Sequence, residues 1–493
     1  MFTMKSYLKI TIMLGFLAVW SNAQTITLDD FLALARVNHP LFEKEALSGQ
    51  IEGQGRDAYL GAQDWRIASS PSFVHQTPLA TSSFSPKRVD QMSTGASLEK
   101  TFWSTGGRLS LSWTSDMTDQ ELDDIVIPFV PEPLVISPGP PQFYQNSINL
   151  SYTQPLLQNF RGALDRLGYE IGQYVVDMVN IQAQENQEEF LLDLASRFID
   201  WVLLDEQRKI AQERLSLTEQ QLEQAQRKRD ANLIDEVDVL RSEDAVRLAE
   251  QGVVLLDAQW RAKQAELSVL SRSSNLLKLT PAFDLYERLD RVALSSAGER
   301  LRQQSRLLRV LSIQRQQMER QQQGLYEILK PQLHLSAQVA AKSGNSEFGS
   351  SLGFNNSDAG LFLQFSYPLG NRSALAEAEK TRLQIERHDL EVDEIVLGLE
   401  AVMQNLILQI EGMEQVLALN EKQIETACLR TEEELKMYNQ GRGDLTFVIQ
   451  SQDNEERALL TYAQNSAAYQ GLNLRLNALL DELLPTTEQK NLE

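Results

Sequence analysis

Few side chains in this sequence stand where chemistry could use them. Its four histidines, His39, His75, His334 and His388, are scattered, and Cys428 is the only cysteine. A metal site needs several such ligands at short, regular spacing, so none is expected. The sequence contains no Gly-rich phosphate loop, no nucleophile elbow and no HExxH helix. Glu185, Glu188 and Glu189 fall at spacings that line one helix surface, which is a solvated face rather than an acid–base pair. Asn149-Leu150-Ser151 spells a glycosylation sequon within a strand pattern and is read as chance. With 68 acidic against 46 basic residues, the net charge of −22 leaves no basic stripe to neutralise phosphates, which excludes nucleic acid. The residues imply neither an enzyme nor a cofactor.

The chain is instead organised around a junction. In Asn146 to Gly162, NSINLSYTQPLLQNFRG, the residues Ile148, Leu150 and Tyr152 alternate with Ser147, Asn149, Ser151 and Thr153, the period of a strand with one apolar face. Pro155 cannot donate to a sheet ladder, so the strand should end there and a long helix follow. The device returns in Gly360 to Ala374, where Leu361, Leu363, Phe365 and Tyr367 form the apolar face and Pro368 stops the strand. Two such junctions predict a duplicated unit, residues 24–282 and 283–484, with a tail over 485–493.

The N-terminus reads as an export signal over residues 1–23. Lys5 and Lys9 precede an apolar run from Ile10 to Val19, and Ser21 and Ala23 fit a cleavage site before Gln24. Every later apolar run is interrupted by charge or Gln, so no transmembrane helix is expected. A chain that crosses a membrane without such helices must do so with strands.

Along the mature chain, Ile26 to Ala62 reads as helix, with Thr27 or Asp29 placed to cap it and Asn38-His39-Pro40 interrupting it. Ser69 to Asn146 has no helical period. A strand over Thr105 to Thr114 places Leu109, Leu111 and Trp113 on one face, and Asp116 to Pro141 reads as an exposed loop. Helix is predicted from Arg161 to about Arg229 and from about Asp235 to Leu277. The second unit repeats the order: helix over Ser295 to Glu327, a strand over Pro331 to Ala341, a loop over Lys342 to Ala359, the Gly360 strand, then helices from Ser373 to about Tyr438 and from Asp444 to Leu484. A proline-free helix of nearly 70 residues is on the order of 100 Å long, the scale of a coiled coil.

These features together resemble the outer-membrane efflux family, the TolC-type channel-tunnels of Gram-negative bacteria. The match is carried by the opening TITLDDFLALARVNHP (Thr25 to Pro40), by TQPLLQNFRG and FSYPLGNRSA at the junctions, and by the two helix–turn–helix tips. The resemblance implies a mainly α chain with a membrane β-barrel portion. Four strands per chain would close a twelve-stranded barrel in a homotrimer, and the long helices would form a coiled-coil α-barrel in the periplasm. Ile148, Leu150, Tyr152, Leu361, Leu363 and Phe365 would then face outer-membrane lipid, and Ser147, Asn149, Ser151 and Gln364 the pore.

The resemblance also implies a periplasmic gate. Asp238 and Tyr438 match an Asp and a Tyr that bond to hold the entrance shut. The matching Arg position holds Gly443, with Arg442 one residue earlier, and Phe447 and Gln450 stand where some members carry acidic residues. The tips align with Asn232 against Gly441, Asp235 against Asp444 and Asp238 against Phe447. Asp235 and Asp444 also sit where an N-cap is expected, so Asp444 is open to capping or gating. The implied function is the passive exit duct of a tripartite efflux pump, served by an inner-membrane transporter and a periplasmic adaptor, or membrane fusion, protein at the tips. The alternatives are the outer-membrane component of type I secretion and an exported coiled-coil structural or adhesive protein without a pore.

Overall fold

The computed structural model describes residues 24–79, 85–128, 131–136, 142–288 and 296–484. The expected export signal and C-terminal tail lie outside them. The chain divides into two compact units: one drawn from Met1–Glu43, Gln187–Gln304 and Ala401–Glu493, the other from Lys44–Asn186 and Ser305–Glu400.

The second unit holds the sheet. Seven strands, β2 (Arg66–Ser69), β3 (Ser72–Gln76), β4 (Arg88–Phe102), β5 (Gly107–Glu121), β8 (Gln142–Pro155), β10 (Gln332–Asn345) and β11 (Asn356–Ser366), form one antiparallel meander. Its order is β11-β10-β8-β5-β4-β2, with β3 also pairing β4. β2 and β3 thus share one position beside β4, which makes six positions where the resemblance implied four strands. The expected Asp116 to Pro141 loop is also shorter than read. β5 continues to Glu121, because Ser93 Oγ donates to Asp116 Oδ1 at 2.5 Å and Arg88 donates to Asp119 at 3.2 Å across the ladder. A separate hairpin, β6 (Ile125–Ile127) with β7 (Leu134–Ile136), lies inside the remainder. β10 and β11 likewise extend into the expected 342–359 loop, pairing as far as Lys342 with Asn356.

β8 ends at Pro155 as its sequence dictates, and the chain then turns tightly before α3 (Leu167–Asp230). Asn159 and Arg161 have positive φ, which delays the helix expected from Arg161. Asn159 Oδ1 accepts the N–H of Leu164 at 2.8 Å and of Asp165 at 3.3 Å. Gly162 has φ +67, and a Cβ there would lie 2.0 Å from the carbonyl oxygen of Trp103, so no other residue fits this turn.

The first unit holds the apolar core. Here α1 (Leu28–Asn38), parts of α3, α4 (Glu236–Leu270) and part of α8 (Leu445–Leu479) bury Phe31, Leu194, Phe198, Trp201, Leu267 and Leu474. Phe31 stacks on Phe198 at 5.4 Å, and Trp201 lies 5.7 Å from Trp260. β1 (Thr25–Ile26) pairs in parallel with β9 (Thr280–Pro281). Thr27 caps α1, its Oγ1 accepting the N–H of Asp30 at 3.2 Å. Thr27→Ala is therefore expected to lower stability by about 1 kcal/mol, measured as a fall in thermal midpoint.

The other α-helices among the described residues are α2 (Pro40–Ala58), α5 (Ala297–Gln304), α6 (Arg306–Leu329) and α7 (Arg372–Asn439). The break at His39 matches the Asn38-His39-Pro40 interruption. A second break, between α5 and α6, was not foreseen: Ser305 caps α6 by accepting the N–H of Leu308. A stretch of α7 is long and apolar enough to span a bilayer by length and composition, which the sequence reading did not expect, although Glu400, Gln404 and Gln409 interrupt the run from Ile395 to Ile410. It is 11% buried, with Leu397, Val402 and Leu408 exposed.

Candidate functional site

The sheet has two chemically distinct faces, fixed by strand register. One row of partners runs Ile67, Leu98, Leu111, Leu150, Val339, Ala359 across all six positions. The next runs Lys100, Leu109, Tyr152, Ala337, Leu361, and a third brings Leu335 beside Leu363. Ile148, Leu150, Tyr152, Leu361, Leu363 and Phe365 share this face. Leu361 is 77% exposed, and Leu363, Phe365 and Ile67 are also exposed. The opposite face carries Arg66, Glu99, Ser110, Ser151, Gln338, Gly360 in one row and Ala68, Ser97, Ser112, Asn149, Ala340, Asp358 in the next. The apolar rows from Ile148 to Phe365 cover eight residues of strand, roughly 27 Å along its axis. At a tilt of about 40° that is roughly 20 Å of height, close to the apolar band of an outer-membrane barrel.

A soluble sheet buries its apolar face against something; this one exposes it along its length, which suits a hydrocarbon solvent. Sequence reasoning found the apolar residues of β5, β8 and β11 but missed Ile67, Phe73, Met92 and Leu98. Their strands interleave them with Ser, Thr, Gly and Ala, so the alternation is faint in the sequence alone.

The other candidate region is the pair of helix–turn–helix tips, both in the first unit, and the two turns close alike. The N–H of Asn232 donates to Arg229 and that of Leu233 to Lys228; the N–H of Gly441 donates to Tyr438 and that of Arg442 to Met437. This is the Schellman ending, which needs a left-handed residue after the helix. Asn232 at φ 55° and Gly441 at φ 69° supply it, in the alignment the sequence gives. Asp235 and Asp444 occupy the N-cap positions of α4 and α8. Only Asp444 makes the capping bond, to the N–H of Thr446 at 2.7 Å, and that bond holds its carboxyl below the usual range. A Cβ at Gly443 would lie 2.9 Å from the backbone nitrogen of Tyr438. The position where the resemblance expects arginine therefore takes only glycine without the turn shifting.

One pocket of about 980 Å³ gathers Asp238, Tyr438, Gly441, Arg442, Gly443, Asp444 and Phe447, together with Lys228. Asn232 and Asp235 belong to the adjoining turn. Within the single chain, Asp238 accepts from Arg241 on its own helix at 3.1 Å. The Tyr438 hydroxyl is buried without a hydrogen-bond partner, and burial, followed by the charges of Asp238 and Asp444, raises its pKa. Lys228 places its ammonium 3.7 Å from the Tyr438 ring centroid, and burial lowers its pKa. Sequence reasoning missed Lys228 and Arg241, although the latter stands three residues after Asp238, a legible helical pair. Buried Arg214 was missed too: it ties α3 to α8 by donating to Gln452 at 2.6 Å and Asp453 at 2.7 Å.

Solved structures share this architecture. The outer membrane protein VceC of Vibrio cholerae aligns at 8% identity over 92% of this chain and 96% of its own, with TM-score 0.61. The outer-membrane channel OprN aligns at 14% identity over 92% and 90%, TM-score 0.63. The CmeC outer membrane channel of Campylobacter jejuni aligns at 9% over 94% and 88%, TM-score 0.60. The fold is thus that of the outer-membrane channels, in agreement with the efflux-family resemblance in the sequence. No family model matches the chain, and no curated protein sequence does either. At these identities the likeness is one of fold.

Proposed function

We propose that this chain is one subunit of an outer-membrane channel-tunnel, the passive exit duct of a tripartite efflux pump in a Gram-negative bacterium. The observation that carries the reading is the sheet whose exposed apolar face and polar face alternate residue by residue. A single chain leaves both edges of that sheet open, which lipid does not tolerate, so several copies must share one barrel. The shared fold favours three copies, with the long helices forming the periplasmic tunnel. The exposed apolar stretch of α7 then packs against neighbouring helices, and the tips receive a periplasmic adaptor that leads to an inner-membrane transporter. An exported adhesin without a pore has no use for such a sheet.

The test is outer-membrane fractionation followed by unheated and heated electrophoresis. A heat-modifiable trimer is expected; recovery only as soluble monomer would overturn the reading. The β6–β7 hairpin, in this reading, lies outside the cell and has no folding role. A short tag inserted near Pro133 should leave the trimer intact and be labelled on whole cells. Labelling only after the outer membrane is broken would invert the topology.

A further inference from the structure

The structure points to a wider barrel than four strands per chain would build. This rests on the outer-membrane reading above, and we propose that the shared wall takes all six strand positions, with β11 of one copy pairing with β2 and β3 of the next. Six positions in each of three copies make eighteen strands. At about 4.8 Å between strands and a tilt near 40°, the backbone-to-backbone diameter is roughly 36 Å, against roughly 24 Å for twelve strands. Barrels of 16–18 strands enclose an aqueous channel.

Three observations carry this. The apolar rows do not stop at β5. Ile67 and Leu98 continue the row of Leu111 and Leu150, and Phe73 and Met92 continue that of Met117. Ile67 is 77% exposed and Phe73 68%. A hairpin folded against the outside of a narrower barrel would have no reason to repeat the lipid-facing pattern in register. The polar rows continue as well, with Arg66 opposite Glu99 and Ser72 opposite Ser93. The second observation is direction. In a meander of six positions the first and last strands run oppositely, so β11 and the β2–β3 position of the next copy meet antiparallel, as closure requires. The third is the β11 edge. Gly360 to Phe365, GLFLQF, has no proline, charge or bulge to deter pairing, and an edge so unprotected needs a partner.

Disulfide scanning tests it in a Cys428→Ser background, which removes the one native thiol. Single cysteines at Ile67, Ser69 or Phe73 are combined with cysteines at Ala359, Leu361 or Leu363. The expected result is interchain cross-links in at least one combination, giving covalent dimers and closed trimers on non-reducing gels. Leu98→Arg is expected to lose assembled trimer as severely as Leu150→Arg. A cross-link from Leu111 to β11 instead, or none from either partner in a trimer that assembles, would place β2 to β4 outside the wall and overturn the proposal. Assembly indifferent to Leu98→Arg but abolished by Leu150→Arg would also overturn it, while leaving the outer-membrane reading intact. Indifference to both would take down the reading itself.

Discussion

Leu150→Arg and Leu363→Arg, each made alone, should strip the assembled channel from the outer membrane, while Ser151→Arg and Gln364→Arg should be tolerated. Leu150 stands between Leu111 and Val339 on the apolar face, and Leu363 pairs with Leu335 on the same face. Both are exposed in the chain, so nothing within it would shelter a guanidinium there. An arginine on the lipid face near the bilayer midplane costs about 2–4 kcal/mol, falling toward zero near the interfaces. In the proposed homotrimer each substitution acts three times. Ser151 lies one residue away, across from Ser110 and Gln338, on the face with Glu99 and Arg66. A charge there meets water and polar neighbours. The measurement is the fraction of chain recovered as heat-modifiable trimer in outer-membrane vesicles. Equal loss in all four variants would mean that the two faces are misassigned.

That contrast was legible in the sequence because period 2 in β8 and β11 pairs large apolar residues with Ser, Asn and Gln. The junctions were legible for a different reason: proline removes a donor, so Pro155 ends its strand wherever the rest of the sheet lies. The tip turns could be aligned because a left-handed position after a helix admits few residues, and Asn232 and Gly441 are two of them. What failed was composition used as a guide to loops. Asp116, Asp119 and Glu121 disfavour a strand by propensity. Their partners Ser93 and Arg88 lie on another strand, and no local signal announces them. β2, β3 and β4 were lost in the same way, since their small polar residues gain meaning only beside β5. The residues read as a gate line one pocket, but the bond Asp238 makes, to Arg241, was not anticipated.

The gate variants carry the largest expected effect. In the single chain the Tyr438 hydroxyl is buried, lies in the field of Asp238 and Asp444, and donates to nothing. A buried donor left unpaired costs about 1–3 kcal/mol, so the closed assembly gains by giving it an acceptor. Asp238 is the candidate on the other hairpin: Arg241 takes only its Oδ1, and a turn of the side chain would offer the second carboxylate oxygen to Tyr438, with Arg442 lining the same pocket. A hydrogen bond to a charged group contributes roughly 1.5–3 kcal/mol. Threefold repetition makes the loss of all three roughly 4–9 kcal/mol, enough to move a closed population largely to an open one. Single-channel conductance in planar bilayers is the readout for Asp238→Ala, and for Tyr438→Phe combined with Arg442→Ser. Both should conduct more than the parent while remaining trimeric, because Asp444 still caps α8 and the Schellman turns are untouched. Lys228 keeps an aromatic ring to stack on in both variants, because Tyr438→Phe removes the hydroxyl and not the ring, so any opening reports on the polar ties. Unchanged conductance in both would mean the entrance is held by packing around Phe447 and by the Arg214 ties to α8, and the charged gate would be abandoned.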